Sequence, residues 1–345
     1  MTITDLEFFL CDALGPGPAE AARPVLVRLS TAARLEGWGE ACLPWRRDEL
    51  PGRRDALLPV LAGRSVFEIE DLLGLAALRA APLRCAIEMA CWDLIGRIAG
   101  QPLCHLFGGN YRQLIPLAVR LGKASAAESA QMARELADQG YHCQIVTSLG
   151  RVEDDLELVA AIRQLTQDRA ELIFDVAAQY DMEAARDLCA GLDGAGLEYV
   201  LDPLSTRDLD QVASLRRQTS VPLAVGRNVR GPADALAVIR CGAASWIEVD
   251  LQRVGGLASA RKCAAVAQAA GLGACLAAGP SVGVALAAAL HLAASTPAFS
   301  HCNQSPWQAA CDEALVEPLE PVDGMLAAPQ GPGLGVQVDR TSLDR

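Results

Sequence analysis

The chain has 345 residues, 51% of them hydrophobic and 21% charged, with a formal net charge of -12. This is a globular composition with enough apolar material for a large core, and it excludes a disordered chain. The acidic balance argues against nucleic acid or an anionic membrane surface as the main partner, and 4% aromatics supply no stacking platform for bases.

The elements follow in order. Residues 1–12 carry acids and no basic leader region, so no signal peptide is expected. Residues 25–31 alternate and predict a strand. Residues 32–36 make a turn, and 37–41 a second strand, giving an antiparallel hairpin. Residues 52–77 have helical character. Residues 82–99 predict a clear helix, with Ile87, Cys91, Leu94, Ile95 and Ile98 on one face and Gly100 as its stop. From 114 onward short apolar runs alternate with helical segments. Strands are expected at 116–120, 143–147, 172–175, 199–202, 222–225, 246–250, 274–277 and 299–303, with helices such as 124–139 and 152–166 between them. That rhythm predicts an α/β barrel of parallel strands. The apolar stretch 284–294 is too short to span a bilayer and contains His291. A Pro- and Gly-rich tail, 322–345, with a strand-like run at 333–338, cannot extend the barrel and is expected to return to the first domain. The implied division is 1–112, an α+β capping domain, 113–320, the barrel, and 321–345, the returning segment.

The 12 cysteines include no CxxC pair and fall inside apolar elements, which predicts reduced structural thiols in a cytoplasmic protein. Asp175 closes the apolar run 172–175, and at a barrel strand's C-terminal tip a carboxylate faces the ligand site. No spacing supports a zinc site, and no Gly-rich phosphate loop is present. Val254-Gly255-Gly256 opens a helix and could seat an anion, though a turn is the more ordinary role. His301 precedes Gln304 by three residues, and with Cys302 and Asn303 it is expected to bring polar groups to the barrel end.

Several motifs, in order, carry a family resemblance: Gly37-Trp-Gly-Glu-Ala; Ala86-Ile-Glu-Met-Ala-Cys-Trp-Asp-Leu-Ile-Gly-Arg followed by Gly100-Gln-Pro-Leu and Leu106-Phe-Gly-Gly; Val254-Gly-Gly-Leu; and Gly331-Pro-Gly-Leu-Gly-Val. Together they resemble the enolase superfamily, and within it the mandelate racemase / muconate lactonizing enzyme group. The resemblance implies an α+β cap on a (β/α)7β barrel and an even-numbered homo-oligomer. It also implies Mg²⁺ held by acids at the tips of strands three, four and five. A base then removes the proton α to a substrate carboxylate, from a Lys-x-Lys pair on strand two and a Lys or an Asp–His dyad on strands six and seven.

Carried over residue by residue, the chemistry matches poorly. The two lysine positions are Ile145 and Thr147. Asp175 matches the first metal acid, with Ala177 where the neighbouring Asn is usual. Leu201 stands at the second acid position, followed by Asp202, and Arg227 at the third. Asp250 matches the dyad Asp, and the dyad His falls on Ala278. One acid, one apolar group and one cation do not suit an ion that demands oxygen donors. The expectation is therefore no cofactor, with Arg227 replacing the metal and pairing with Asp175 or Asp250. Asp250 could equally pair with Arg227 or Arg253. Asp250, Arg227 and His301 are the candidates for catalysis. Thr147, Asp202, Asn303 and Arg47 are the candidates for substrate contact, Arg47 from a basic segment at 43–54 that with 12–21 would cover the site. Asp175 is the one retained metal position. The function expected is a pseudoenzyme or metal-independent binder of a small carboxylate. The alternative is an active isomerase or lyase (racemase, epimerase, cycloisomerase or dehydratase) with a rearranged site.

Overall fold

The computed structural model describes residues 1–11, 23–167, 169–277, 279, 281–301, 303–304 and 314–343. The N-terminal sheet has three antiparallel strands, β1 (Ile3–Leu10), β2 (Arg23–Thr31) and β3 (Glu36–Leu43), in that order. The hairpin expected from sequence is thus extended by β1. Its Ile3, Leu6, Phe8 and Leu10 are buried in the capping core. This sheet packs on the long helix Ala81–Ala99, which Gly100 ends in a left-handed conformation at φ 64°.

The barrel strands are β4 (Leu114–Arg120), β5 (Cys143–Thr147), β6 (Glu171–Asp175), β7 (Leu197–Leu201), β8 (Leu223–Val225), β9 (Trp246–Asp250), β10 (Gly273–Ala277) and β11 (Asn303–Gln304). They pair in parallel in chain order, and β11 pairs with both β10 and β4, which closes the ring. Alternation sorts each strand into an outward face against the helices and an inward face. Ala118, Cys143, Ile145, Ile173, Tyr199, Leu201, Ala224 and Cys275 pack together inside, beside Trp246. The next inward residues, one step toward the C-terminal tips, are Arg120, Thr147, Asp175 and, on β9, Glu248 and Asp250.

Two expectations about the chain's end need correction. Among the described residues, the strand expected at 299–303 is instead Asn303–Gln304. The tail does touch the barrel: β12 (Met325–Ala327) pairs antiparallel with β4 along Leu114–Pro116, the stretch that short β11 leaves open. The run at 333–338 makes only isolated bridges, Pro102 with Gly333 and Leu315 with Val338. Within that run the Leu334 N–H donates at 2.8 Å to Asp93 Oδ1 on the helix Ala81–Ala99. Among the described residues no helix is long and apolar enough to cross a membrane. No disulfide joins the ten described cysteines, and burial pushes Cys91 up to about 12, in keeping with an inert apolar filler.

Cap and barrel are locked by acids on helix N-termini. Glu40 on β3 accepts from Val282 N (2.7 Å), Ala285 N (2.8 Å) and Ser281 Oγ (2.8 Å), at the start of helix Val284–Ser295. Glu88 accepts from Ala258 N (2.9 Å) and Trp92 Nε1 (3.1 Å), at the start of helix Leu257–Ala269. The anion that Val254-Gly255-Gly256 seats is therefore Glu88 of the chain itself, and Arg84 donates to the Gly255 and Val254 carbonyls from the other side. A Cβ on Gly256, at φ +128°, would lie 1.6 Å from Glu88 Oε2. Gly256→Ala is expected to cost at least about 2 kcal/mol, from the strained φ and the displaced carboxylate together. A lower urea midpoint checks this, and an unchanged midpoint overturns it. His291 closes a third lock. Its Nδ1 accepts from Cys104 N, its Nε2 donates to the Leu334 carbonyl, and burial lowers its pKa to about 4, so it stays neutral.

Candidate active site at the barrel mouth

The mouth is built from the strand tips. Arg120 closes β4, Thr147 closes β5 and Asp175 closes β6, and β5 lies between the other two. Arg120 Nη1 donates to Asp175 Oδ2 at 2.7 Å and to Thr147 Oγ1 at 2.8 Å. The second Asp175 oxygen accepts from Ala177 N at 2.8 Å. Asp175 is thus buried and fully engaged, and its counter-ion is Arg120, which the sequence reading did not single out.

Beyond β6 and β7 the backbone turns sharply. Ala177, Ala178 and Asp202 all have left-handed φ, 58°, 57° and 45°, uncommon for residues with a Cβ. Ala178 N bonds the Asp202 carbonyl at 2.9 Å and holds the two loops together. The buried Asp202 carboxylate faces the β8 tip, where it accepts from Gly226 N and Arg227 N, each at 2.9 Å. Burial raises its pKa and these two N–H groups oppose the rise.

Arg227 does not pair with Asp175 or Asp250, which corrects the expectation. Its side chain is 53% exposed, and its Nε lies 3.8 Å from Asp202 Oδ2, a contact longer than a hydrogen bond. Asp250 is held by its own helix start. Its Oδ1 accepts from Gln252 N and Arg253 N, and Arg253 Nη2 lies 3.3 Å from Oδ2. Of the two partners considered for Asp250, Arg253 is the one in contact.

Glu248 is the other residue that the sequence reading passed over. It lies on the inward face of β9 between Trp246 and Asp250, 5% exposed. Its carboxylate fills the space over Gly226, where a Cβ would come within 3.0 Å of Oε1. Burial, then the nearby charge of Asp202, pushes its pKa up to about 7. Arg253, whose Nη1 is 3.8 Å away, pulls the other way. By count the mouth holds four acids (Asp175, Asp202, Glu248, Asp250) against three arginines (Arg120, Arg227, Arg253), a formal -1.

The remaining candidates lie elsewhere. His301 precedes the short β11, and parallel strands place that point at the barrel's N-terminal end, away from the mouth. There its ring meets Trp246 edge-on at 4.3 Å and its Nδ1 lies 3.4 Å from Glu198 Oε1. Among the described residues the one set of three acid, His or Cys ligand atoms within 4.8 Å of one another is Glu171, Glu198 and His301, at this opposite end. His301 is therefore no part of the mouth. Asn303 is buried and structural, with its Oδ1 accepting from Leu276 N at 3.1 Å. Arg47 lies in the capping domain and donates to the Leu10 carbonyl at 3.4 Å. Its basic neighbours are paired, Arg46 with Asp48, Arg53 with Glu49 and Arg54 with Asp5, so they form a solvated surface rather than an anion reader. The dyad position Ala278, the covering segment 12–21 and Cys302 lie outside the described residues, as does the Gln304 side chain.

The fold and the mouth define a class, the capped (β/α)7β barrel with acids at the strand C-termini, and comparison with known proteins narrows it. A family model described as "Mandelate racemase / muconate lactonizing enzyme, N-terminal domain" matches residues 14–108, and one described as "Enolase C-terminal domain-like" matches 128–342. Muconate cycloisomerase 1 of Rhodococcus opacus is 31% identical over 341 residues, covering 93% of this chain and 90% of the relative. N-succinylamino acid racemase of Thermus thermophilus is 29% identical, covering 94% and 90%. Among solved structures, 2-chloromuconate cycloisomerase from Rhodococcus opacus 1CP superposes with a TM-score of 0.88 at 27% identity, covering 99% of this chain and 98% of that one. The chain belongs to the enolase superfamily, in its mandelate racemase / muconate lactonizing enzyme group.

The ion of that family can be tested against the donors present. Magnesium needs near-octahedral oxygen ligation. The three ligand positions hold Asp175, already bound to Arg120, the buried apolar Leu201, and the cation Arg227. No three mouth acids among the described residues come within 4.8 Å of one another. This donor set does not fit the ion.

Proposed function

We propose that this chain is a metal-independent binder of a small carboxylate, a family member that has set aside Mg²⁺-assisted proton abstraction, with arginines in the place of the ion. One observation carries the reading: Arg120 Nη1 lies 2.7 Å from Asp175 Oδ2, so the retained acid already has a fixed cation of the chain. A guanidinium offers a planar fork of donors that suits a carboxylate. Arg120 is 41% exposed and Arg227 53%, so both heads can reach a ligand entering the mouth. Titration calorimetry is expected to show no saturable Mg²⁺ binding and to show carboxylate binding that chelator leaves unchanged. Micromolar Mg²⁺ binding to the purified protein overturns the reading.

Glu248 favours a second reading, an active isomerase or lyase. A carboxyl with a pKa of about 7 is matched to proton transfer near neutral pH, and Asp175, Asp202 and Asp250 share the mouth with it. The relatives include cycloisomerases and a racemase. Solvent deuterium exchange into a panel of α-hydroxy acids, N-succinylamino acids and muconates separates the two. Exchange lost in Glu248→Gln supports the enzyme, and no exchange with or without Mg²⁺ supports the binder.

A further inference from the structure

Beside the mouth, between the loops that follow β7 and β8, lies a recess of about 200 Å³. Its floor is apolar, made by Leu204, Val212 and Val225, all buried. Its rim is polar and mostly basic: Arg207 and Arg227 with Ser205 and Thr206. The one acid on the wall, Asp202, spends both carboxylate oxygens on the Gly226 and Arg227 N–H groups. By count the lining carries two cations and one anion, a formal +1 in a chain of net charge -12.

The lining is held in place by its own bonds. Asn228 Nδ2 donates to the Arg207 carbonyl at 3.2 Å, and Thr206 Oγ1 accepts from Asp208 N at 3.1 Å, leaving that hydroxyl's proton available to a guest. Ser205 N donates to the Tyr180 carbonyl at 2.7 Å. Ala178 and Asp202 form the side toward the mouth, in the left-handed backbone already described. Among the described residues the Arg207 guanidinium and the Ser205 hydroxyl have no hydrogen-bond or ion-pair partner. An unengaged guanidinium and two hydroxyls around a small recess are the donors that a carboxylate or phosphate group takes.

We propose that this recess is a subsite for an anionic group, and that the ligand is a dianion with one acid in the mouth and the other between Arg207 and Arg227. The two-acid form rests on the carboxylate-binding reading above. Arg227 belongs to both places, since it lines the recess and its Nε lies 3.8 Å from Asp202 at the mouth. The apolar floor fits the short hydrocarbon segment that would separate the two acids.

Adipate and hexanoate, which share a six-carbon chain, test this by titration calorimetry on the full chain. Adipate is expected to bind about tenfold more tightly, the equivalent of one charge-assisted contact. Arg207→Ala is expected to abolish that preference and leave hexanoate binding unchanged. An equal loss for both acids, or none, overturns the subsite. Inorganic phosphate reads the recess without the mouth. A saturable shift of the Asn228 side-chain amide resonance, lost in Arg207→Ala, supports the subsite, and no saturable shift overturns it. The mouth reading fails separately, when Arg120→Ala leaves hexanoate binding intact. Phosphate against adipate also distinguishes a phosphorylated ligand from a dicarboxylate.

Discussion

Glu40→Ala is expected to lower unfolding stability by about 3–5 kcal/mol, the cost of stranding two or more buried donors. Glu40 is fully buried on β3, and its oxygens take Val282 N, Ala285 N and Ser281 Oγ. The helix it caps, Val284–Ser295, is buried continuously from Val284 to Ala294, so water cannot replace the lost acceptor. Truncation also leaves a void between cap and barrel, which adds to the cost. Urea unfolding should show a lower midpoint with an unchanged slope. Glu40→Gln is expected to recover part of the loss. One amide oxygen still accepts, and the Ser281 hydroxyl can turn to accept from the amide nitrogen, but one helix N–H then faces a donor. A Glu40→Ala protein as stable as the parent would show that the cap does not lock the barrel through this residue.

Most of the fold was legible because local chemistry dictates it. The change from strands-then-helices to strict alternation after residue 113 marks the barrel. The motifs around Gly37, Glu88 and Gly255 are legible for a structural reason now visible, since each supplies a contact between cap and barrel. The site was less legible, because its contacts depend on which strand tips are neighbours. Position-by-position comparison put the substituting cation just past β8, at Arg227. The cation that touches Asp175 is on β4, two strands away across Thr147. Glu248 left a usable signal, since Trp246, Glu248 and Asp250 share a parity, and a charge on an inward face of a barrel strand calls for a reason. His301 was placed by a strand at 299–303 that is only two residues long, at 303–304. Shortening that strand moves His301 from the strand body to the end opposite the mouth.

Hexanoate should bind more tightly as the pH falls from 8 to 6, by up to about tenfold per pH unit where one proton is taken up. Glu248 titrates near 7, raised first by burial and then by the charge of Asp202. An anion entering the mouth favours its protonated form, so binding and protonation support each other. Calorimetry in buffers of different ionisation enthalpy should detect that proton uptake. Glu248→Gln should bind with pH-independent affinity and release no such signal. Stability carries the same signature with a definite sign. The folded protein holds the Glu248 proton up to about pH 7, whereas the unfolded chain releases it near 4.5. Between those values the folded state binds more protons, so stability falls as the pH rises. The fall is about 3 kcal/mol, at roughly 1.4 kcal/mol per unit. Glu88, also raised by burial to about 7, contributes a second fall over the same window. Glu248→Gln should therefore remove one portion of the decline between pH 4.5 and 7, and Glu248→Gln with Glu88→Gln both. The two groups sit in separate places, one in the mouth and one in the cap, so their effects should add. Parallel stability curves for the parent and Glu248→Gln would mean that Glu248 is ionised in the folded mouth throughout, and the pH dependence of binding would then vanish with it.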